Sequence, residues 1–108
     1  MAWVYLIIAG LCEIGWPLGL KLAQTSPHWK IGGYALAVVS ITLSGIFLLM
    51  AQRSIPMGTA YAVWTGIGAI GTFAVGVALF KDPVNLLRIM SVLLIFVGIV
   101  GLRLAARP

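Results

Sequence analysis

Four long apolar runs fill the chain, and each is closed by a short polar break. The first extends from about Ala2 to Leu22, and the break Gln24-Thr25-Ser26-Pro27-His28-Trp29-Lys30 follows it. The second covers roughly Ile31 to Ala51 and stops at Gln52-Arg53-Ser54-Ile55-Pro56. The third runs from Met57 to Phe80 and is ended by Lys81-Asp82-Pro83, and the fourth covers Leu86 to Ala105 with Arg103 and Arg107 at its exit. Each run has the ~20 residues that one helical membrane crossing needs. None shows the period-two alternation of a membrane β-barrel, and an open sheet cannot satisfy its backbone polar groups in hydrocarbon. The pattern predicts an all-α integral membrane protein, a single four-helix transmembrane domain over residues 1–108.

Composition agrees with the pattern. The sequence is 62% hydrophobic and 8% charged, with a mean hydropathy of +1.14, whereas a soluble domain carries about 25% charged residues. The polar residues are too few to cover a globule of 108 residues, so lipid is its solvent. Residues 1–12 hold no charged side chain, and the apolar run passes straight through Glu13. A retained first helix is therefore expected in place of a cleaved signal peptide, which opens on a positive segment. The single cysteine, Cys12, has no internal partner for a disulfide.

The net charge of +5 does not point to nucleic acid. Lys and Arg stand singly at the ends of the apolar runs, as residues that snorkel to the interface do, and no basic stretch is interleaved with aromatics. Their distribution bears on orientation. Arg53, Arg103 and Arg107 fall on one side of the membrane, and Lys21, Lys30, Lys81 and Arg88 on the other. Orientation normally follows an excess of Lys and Arg on the cytoplasmic side. Three against four is almost no excess, so insertion both ways up, and with it an antiparallel homodimer, is expected.

Glu13 is the residue that carries chemistry. It lies about 11 residues into the first helix, hence roughly 16 Å deep, and Asp82, the only other acid, falls in a connection. A charge at that depth costs at least ~2.5–3.5 kcal/mol and as a rule marks an ion or substrate path. Burial disfavours the charged form of a carboxyl, so a proton and a cation compete for such a group. Trp16 and Pro17 follow at i+3 and i+4, on the same face. Pro17 has no N–H, so the carbonyl of Glu13 loses its helical partner and becomes a free acceptor beside the carboxyl.

The other helices offer less. Ser40 and Ser44 share a face of the second helix, and the residues alone favour a bond from each back to its own i−4 carbonyl. On the third helix Tyr61, Trp64 and Gly68 form one stripe. Trp64 is too deep for an interfacial belt, so its N–H requires a partner inside the protein. Ser91 and Gly98 share a face of the fourth helix, which reads as packing surface.

With these residues in view, the sequence resembles the small multidrug resistance family of proton-coupled exporters. The likeness covers the whole chain: its length, four helices, Glu13 in the first, Pro56 before the third, and the segment Gly58–Gly68. Trp16, Thr59 and Thr65 resemble the guanidinium-exporter branch more than the quaternary-ammonium branch. The resemblance implies an antiparallel homodimer in the bacterial cytoplasmic (inner) membrane, with one deep site around both Glu13 carboxylates, binding substrate and protons in turn. It further implies that Trp16 and Ser44 orient Glu13, that Tyr61 and Trp64 line the pocket, that Gly66 and Gly68 are where the third helix bends, and that the fourth helix, with Ser91 and Gly98, supplies the dimer contact. Pro17 departs from the family pattern, standing where a small non-proline residue is usual after this tryptophan.

The expected function is proton-coupled export of guanidinium or a small guanidinyl cation, with a lipid bilayer and a second copy as partners and neither cofactor, metal nor nucleic acid. Two alternatives compete with it. A quaternary-ammonium exporter would rely on cation–π contact with Trp16, Tyr61 and Trp64. A subunit of a hetero-oligomer of related chains is disfavoured by the near-even charge distribution. An enzyme is not expected, because the sequence holds no metal-ligand cluster and no nucleophile–base pair, and its single histidine, His28, sits in a connection.

Overall fold

A computed structural model describes residues 1–105; Arg107, expected at the exit of the fourth helix, lies outside the described residues. Four helices make up the fold: α1 (Ala2–Thr25), α2 (Lys30–Ala51), α3 (Met57–Phe80) and α4 (Leu86–Ala105). All four are long and apolar enough to cross a membrane.

The helix ends follow from local chemistry. α1 continues one turn beyond Leu22, where the polar residues predicted its end. Thr25 Oγ1 donates back to the Lys21 carbonyl at 2.8 Å and the Ser26 N–H donates to the Leu22 carbonyl at 3.0 Å, so the end of the helix supplies donors to its own last carbonyls. Pro27 then opens a single 3-10 turn, Pro27–Trp29, that leads directly into α2. Asn85 caps α4, its side-chain oxygen accepting the Arg88 N–H at 2.9 Å. Pro17 lies inside α1, and the helix runs on through it.

α1 is the hub. It packs along α2 over most of its length and along α3 over part of it, while the backbone of α4 approaches only α3. Small residues set how closely α1 and α2 meet. Gly15 lies against Ser40, and Gly19 against the carbonyl of Gly33 and the backbone of Ala37, so a Cβ at either glycine would collide. Close approach through small residues is the usual mode of helix association in lipid, where burial of apolar surface gives no drive.

The tightly buried core is small: Leu6 with Ala51, Ile55, Ala60 and Val63, at the end where the connection from α2 to α3 folds under α1. Arg103 reaches across from α4 to place its guanidinium 5.0 Å from the ring centre of Trp3. No residue of α4 is buried. The described chain is a slab 48 × 34 × 16 Å.

Candidate functional site

Three helices converge on Glu13. α1 carries it half-buried, α3 presents Gly68 to it and α2 presents Ser44. A Cβ at Gly68 would lie 2.7 Å from Glu13 Cγ, so the missing side chain is what admits the glutamate against α3. Gly10 does the same one turn earlier, where a Cβ would meet Ile67 at 2.7 Å.

Ser44 is the centre of the polar network. It is fully buried, its Oγ donates to the Ala9 carbonyl at 2.8 Å, and it accepts the Trp64 indole N–H at 2.7 Å. Glu13 Oε1 stands 3.4 Å from the same hydroxyl. The residue-level expectation that Ser44 bonds back to its own helix is therefore corrected: the hydroxyl bonds across to α1 and α3. The signal for this was present in the sequence. Gly33, Ala37, Ser40 and Ser44, all buried, recur at helical spacing as a stripe of small residues facing α1. Trp64 finds the internal partner that its depth demanded.

A hydroxyl has one proton and two lone pairs. While Ser44 gives its proton to Ala9, it faces Glu13 as an acceptor, which suits a protonated carboxyl. To serve a carboxylate it must turn its proton from Ala9 to Glu13, and the Ala9 carbonyl keeps its bond within α1. The arrangement thus accommodates both protonation states of Glu13 by rotation of one hydroxyl.

The remaining residues singled out by the sequence are spread more widely. Trp16 Nε1 is buried with no hydrogen-bond partner among the described residues; within this chain it does not bond Glu13. Tyr61 is 57% exposed, and its ring meets that of Trp64 at 5.3 Å between centres and an interplanar angle of 53°. α3 is continuous through Gly66 and Gly68; a Cβ at Gly66 would lie 2.8 Å from Ile99, so this glycine lets α4 approach. Ser91 Oγ bonds back to the Leu87 carbonyl at 2.8 Å and lines an open cavity with Phe73 of α3, while Gly98 has nothing within 4 Å of where its Cβ would be.

A cavity of about 230 Å³ opens beside Glu13, lined by Trp16, Pro17, Thr65, Gly68, Ala69 and Thr72. Thr65 and Thr72 belong to its α3 wall, which is almost entirely apolar. Thr72 was not singled out from the sequence, although it continues the stripe of Tyr61, Thr65 and Gly68 at helical spacing. The carboxyl of Glu13 forms no ion pair with any described residue. Among the described residues no group of three or more His, Cys, Asp or Glu side chains is placed to hold a metal ion.

A family model, Small Multidrug Resistance protein, matches residues 1–95. The chain belongs to the small multidrug resistance family. Named relatives cover almost its full length. The guanidinium exporter of Yersinia pseudotuberculosis is 44% identical over 106 residues, 98% of this chain and 100% of the relative. That of Escherichia coli K12 is 42% identical over 97% of this chain and 98% of the relative, and that of Proteus vulgaris 40% identical over 98% and 100%. A member of the small multidrug resistance family with four apolar spans is a multi-pass protein of the bacterial inner membrane. Within that family its glutamate is a half-buried carboxyl beside a cavity, bonded through serine to tryptophan.

Proposed function

We propose that this protein exports guanidinium or small guanidinyl cations in exchange for protons, both competing for Glu13. The observation that carries the reading is a carboxyl deep in a membrane span, facing a cavity of about 230 Å³ and without an ion-pair partner among the described residues. Relatives 40–44% identical over nearly the whole chain bear the name guanidinium exporter. A planar guanidinium offers forked N–H donors to a carboxylate. The Glu13 carbonyl, which Pro17 deprives of its helical donor, is a further acceptor. Protonation of Glu13 turns it toward the Ser44 lone pair and releases the cation; loss of the proton restores the carboxylate.

The working unit is an antiparallel homodimer. Three features support this: the almost even charge distribution, the apolar and unburied surface of α4 with open space at Gly98, and the unpartnered buried indole N–H of Trp16. A slab 16 Å thick does not enclose a site by itself, and a second copy closes it. In this reading Tyr61 and Trp64 line the shared pocket, and α3 bends at Gly66 and Gly68 during alternating access. Quaternary ammonium export is the second reading, favoured by the tilted ring pair of Tyr61 and Trp64, of which Tyr61 is exposed and whose faces suit a cation without N–H donors.

Substrate-driven proton flux in proteoliposomes tests the proposal, with guanidinium and tetraethylammonium offered in parallel to wild type and Glu13→Gln. Guanidinium is expected to drive flux in the wild type and not in the variant. Flux with tetraethylammonium alone would transfer the assignment to the second reading, and flux with neither would remove the exporter reading.

A further inference from the structure

A second cavity, of about 220 Å³, lies between α1 and α3 toward the end of the span. Pro17 and Thr72 line both this cavity and the one beside Glu13, so the two are neighbours along the groove between α1 and α3. At its outer limit stand Asp82 and Lys21. Asp82 is the one acid besides Glu13 in the sequence, and the site described above makes no use of it.

The position of Asp82 is built by the fold. α3 ends with Lys81 in the left-handed conformation at φ 55°, a conformation that non-glycine residues seldom adopt. The N–H groups of Lys81 and Asp82 then both converge on the Gly76 carbonyl, that of Asp82 at 3.1 Å. The chain is thereby folded back along α3, and the Asp82 carboxylate lies over Gly76, against the place a Cβ would occupy. Gly76 itself is buried. The carboxylate adds to the negative end of the α3 dipole and forms no ion pair with a described residue, although Lys21 shares the cavity wall.

We propose that Asp82 is an outer capture site, where a small organic cation is held by the carboxylate before it passes along Pro17 and Thr72 to Glu13. Lys21, the cationic group on the opposite wall, opposes that occupancy and sets how weakly the cation is held. The inference rests on the export reading. A carboxylate at the mouth of a low-dielectric crevice raises the local concentration of cations, and its effect falls on capture in preference to the later steps.

The test is guanidinium-driven proton flux in proteoliposomes at low and high salt, for wild type, Asp82→Asn, Asp82→Glu and Lys21→Gln. Asp82→Asn is expected to raise KM about three- to tenfold at low salt with kcat unchanged, and the difference shrinks as salt screens the mouth. Asp82→Glu restores most of the loss, and Lys21→Gln lowers KM. An effect of Asp82→Asn on kcat alone, or one independent of salt, assigns Asp82 to the α3 terminus only and overturns the proposal. Should Asp82→Asn fail to fold, Lys21→Gln decides: an unchanged or raised KM overturns it as well. Absence of flux in wild type defeats the export reading itself, whereas wild-type flux with an unmoved KM in the variants defeats only the capture site.

Discussion

The indole N–H of Trp64 on α3 reaches the Ser44 hydroxyl on α2 at 2.7 Å, and that hydroxyl is fully buried. The bond ties together two helices whose backbones otherwise make little contact and fixes the oxygen that faces Glu13. Ser44→Ala leaves the Trp64 N–H without a partner in a buried setting, which costs about 1–3 kcal/mol. In a Trp64→Phe background no donor is left stranded, so the same change costs less. A double-mutant cycle on unfolding in mixed micelles is expected to give a coupling of about 1 kcal/mol or more. Additive effects would show that the bond contributes nothing to the fold.

Two glycines separate close approach from conformational freedom. A Cβ at Gly68 would stand 2.7 Å from Glu13 Cγ, while one at Gly45 would meet nothing within 4 Å. Gly68→Ala is expected to cost about 1–3 kcal/mol through overpacking and to displace Glu13, weakening guanidinium affinity. Gly45→Ala is expected to raise stability by up to about 1 kcal/mol with transport intact. Affinity measured by tryptophan quenching, together with unfolding curves, compares the two.

Much of this site was legible in the residues, and the exceptions have a common cause. The four apolar runs and the proline-containing breaks placed the helices, because lipid permits no other backbone solution. Glu13 declared itself by depth and solitude. Trp64 was legible as a buried donor, but its acceptor was not, since hydrogen-bond partners on different helices depend on their relative rotation. Ser44 shows the same limit: local precedent favours bonding to its own helix, and only the stripe running from Gly33 to Ser44 hints that it faces α1. The position of Asp82 over Gly76 depends on the left-handed turn at Lys81, at a residue type with no preference for that conformation.

Trp16 offers a test of where its unpartnered N–H finds an acceptor. The indole nitrogen is buried without a hydrogen bond among the described residues, so Trp16→Phe removes no bond within the chain. Its effect on the stability of a single chain is expected to stay within about 0.5 kcal/mol. In the proposed homodimer, guanidinium affinity falls because the N–H serves the shared site. A loss of stability without loss of affinity would place the missing acceptor in the fold of the chain itself.

Substitution of Pro17 is a test that separates a guanidinium site from a general cation site. It leaves the Glu13 carbonyl without a helical donor, and it lines the cavity that Glu13 faces. Pro17→Ala returns an N–H to that carbonyl and removes a residue about 3 kcal/mol less favourable than alanine in a helix interior, so α1 is expected to become more stable. The carbonyl is then engaged within the helix and no longer available to a ligand. A guanidinium that donates to it loses a bond to a charged partner of about 1.5 kcal/mol, roughly tenfold in affinity. Tetraethylammonium has no N–H to donate, and its affinity should not follow. Isothermal titration of both cations into wild type and variant provides the comparison. A loss confined to guanidinium identifies the carbonyl as a ligand, and an equal change for both cations reduces Pro17 to a determinant of helix shape.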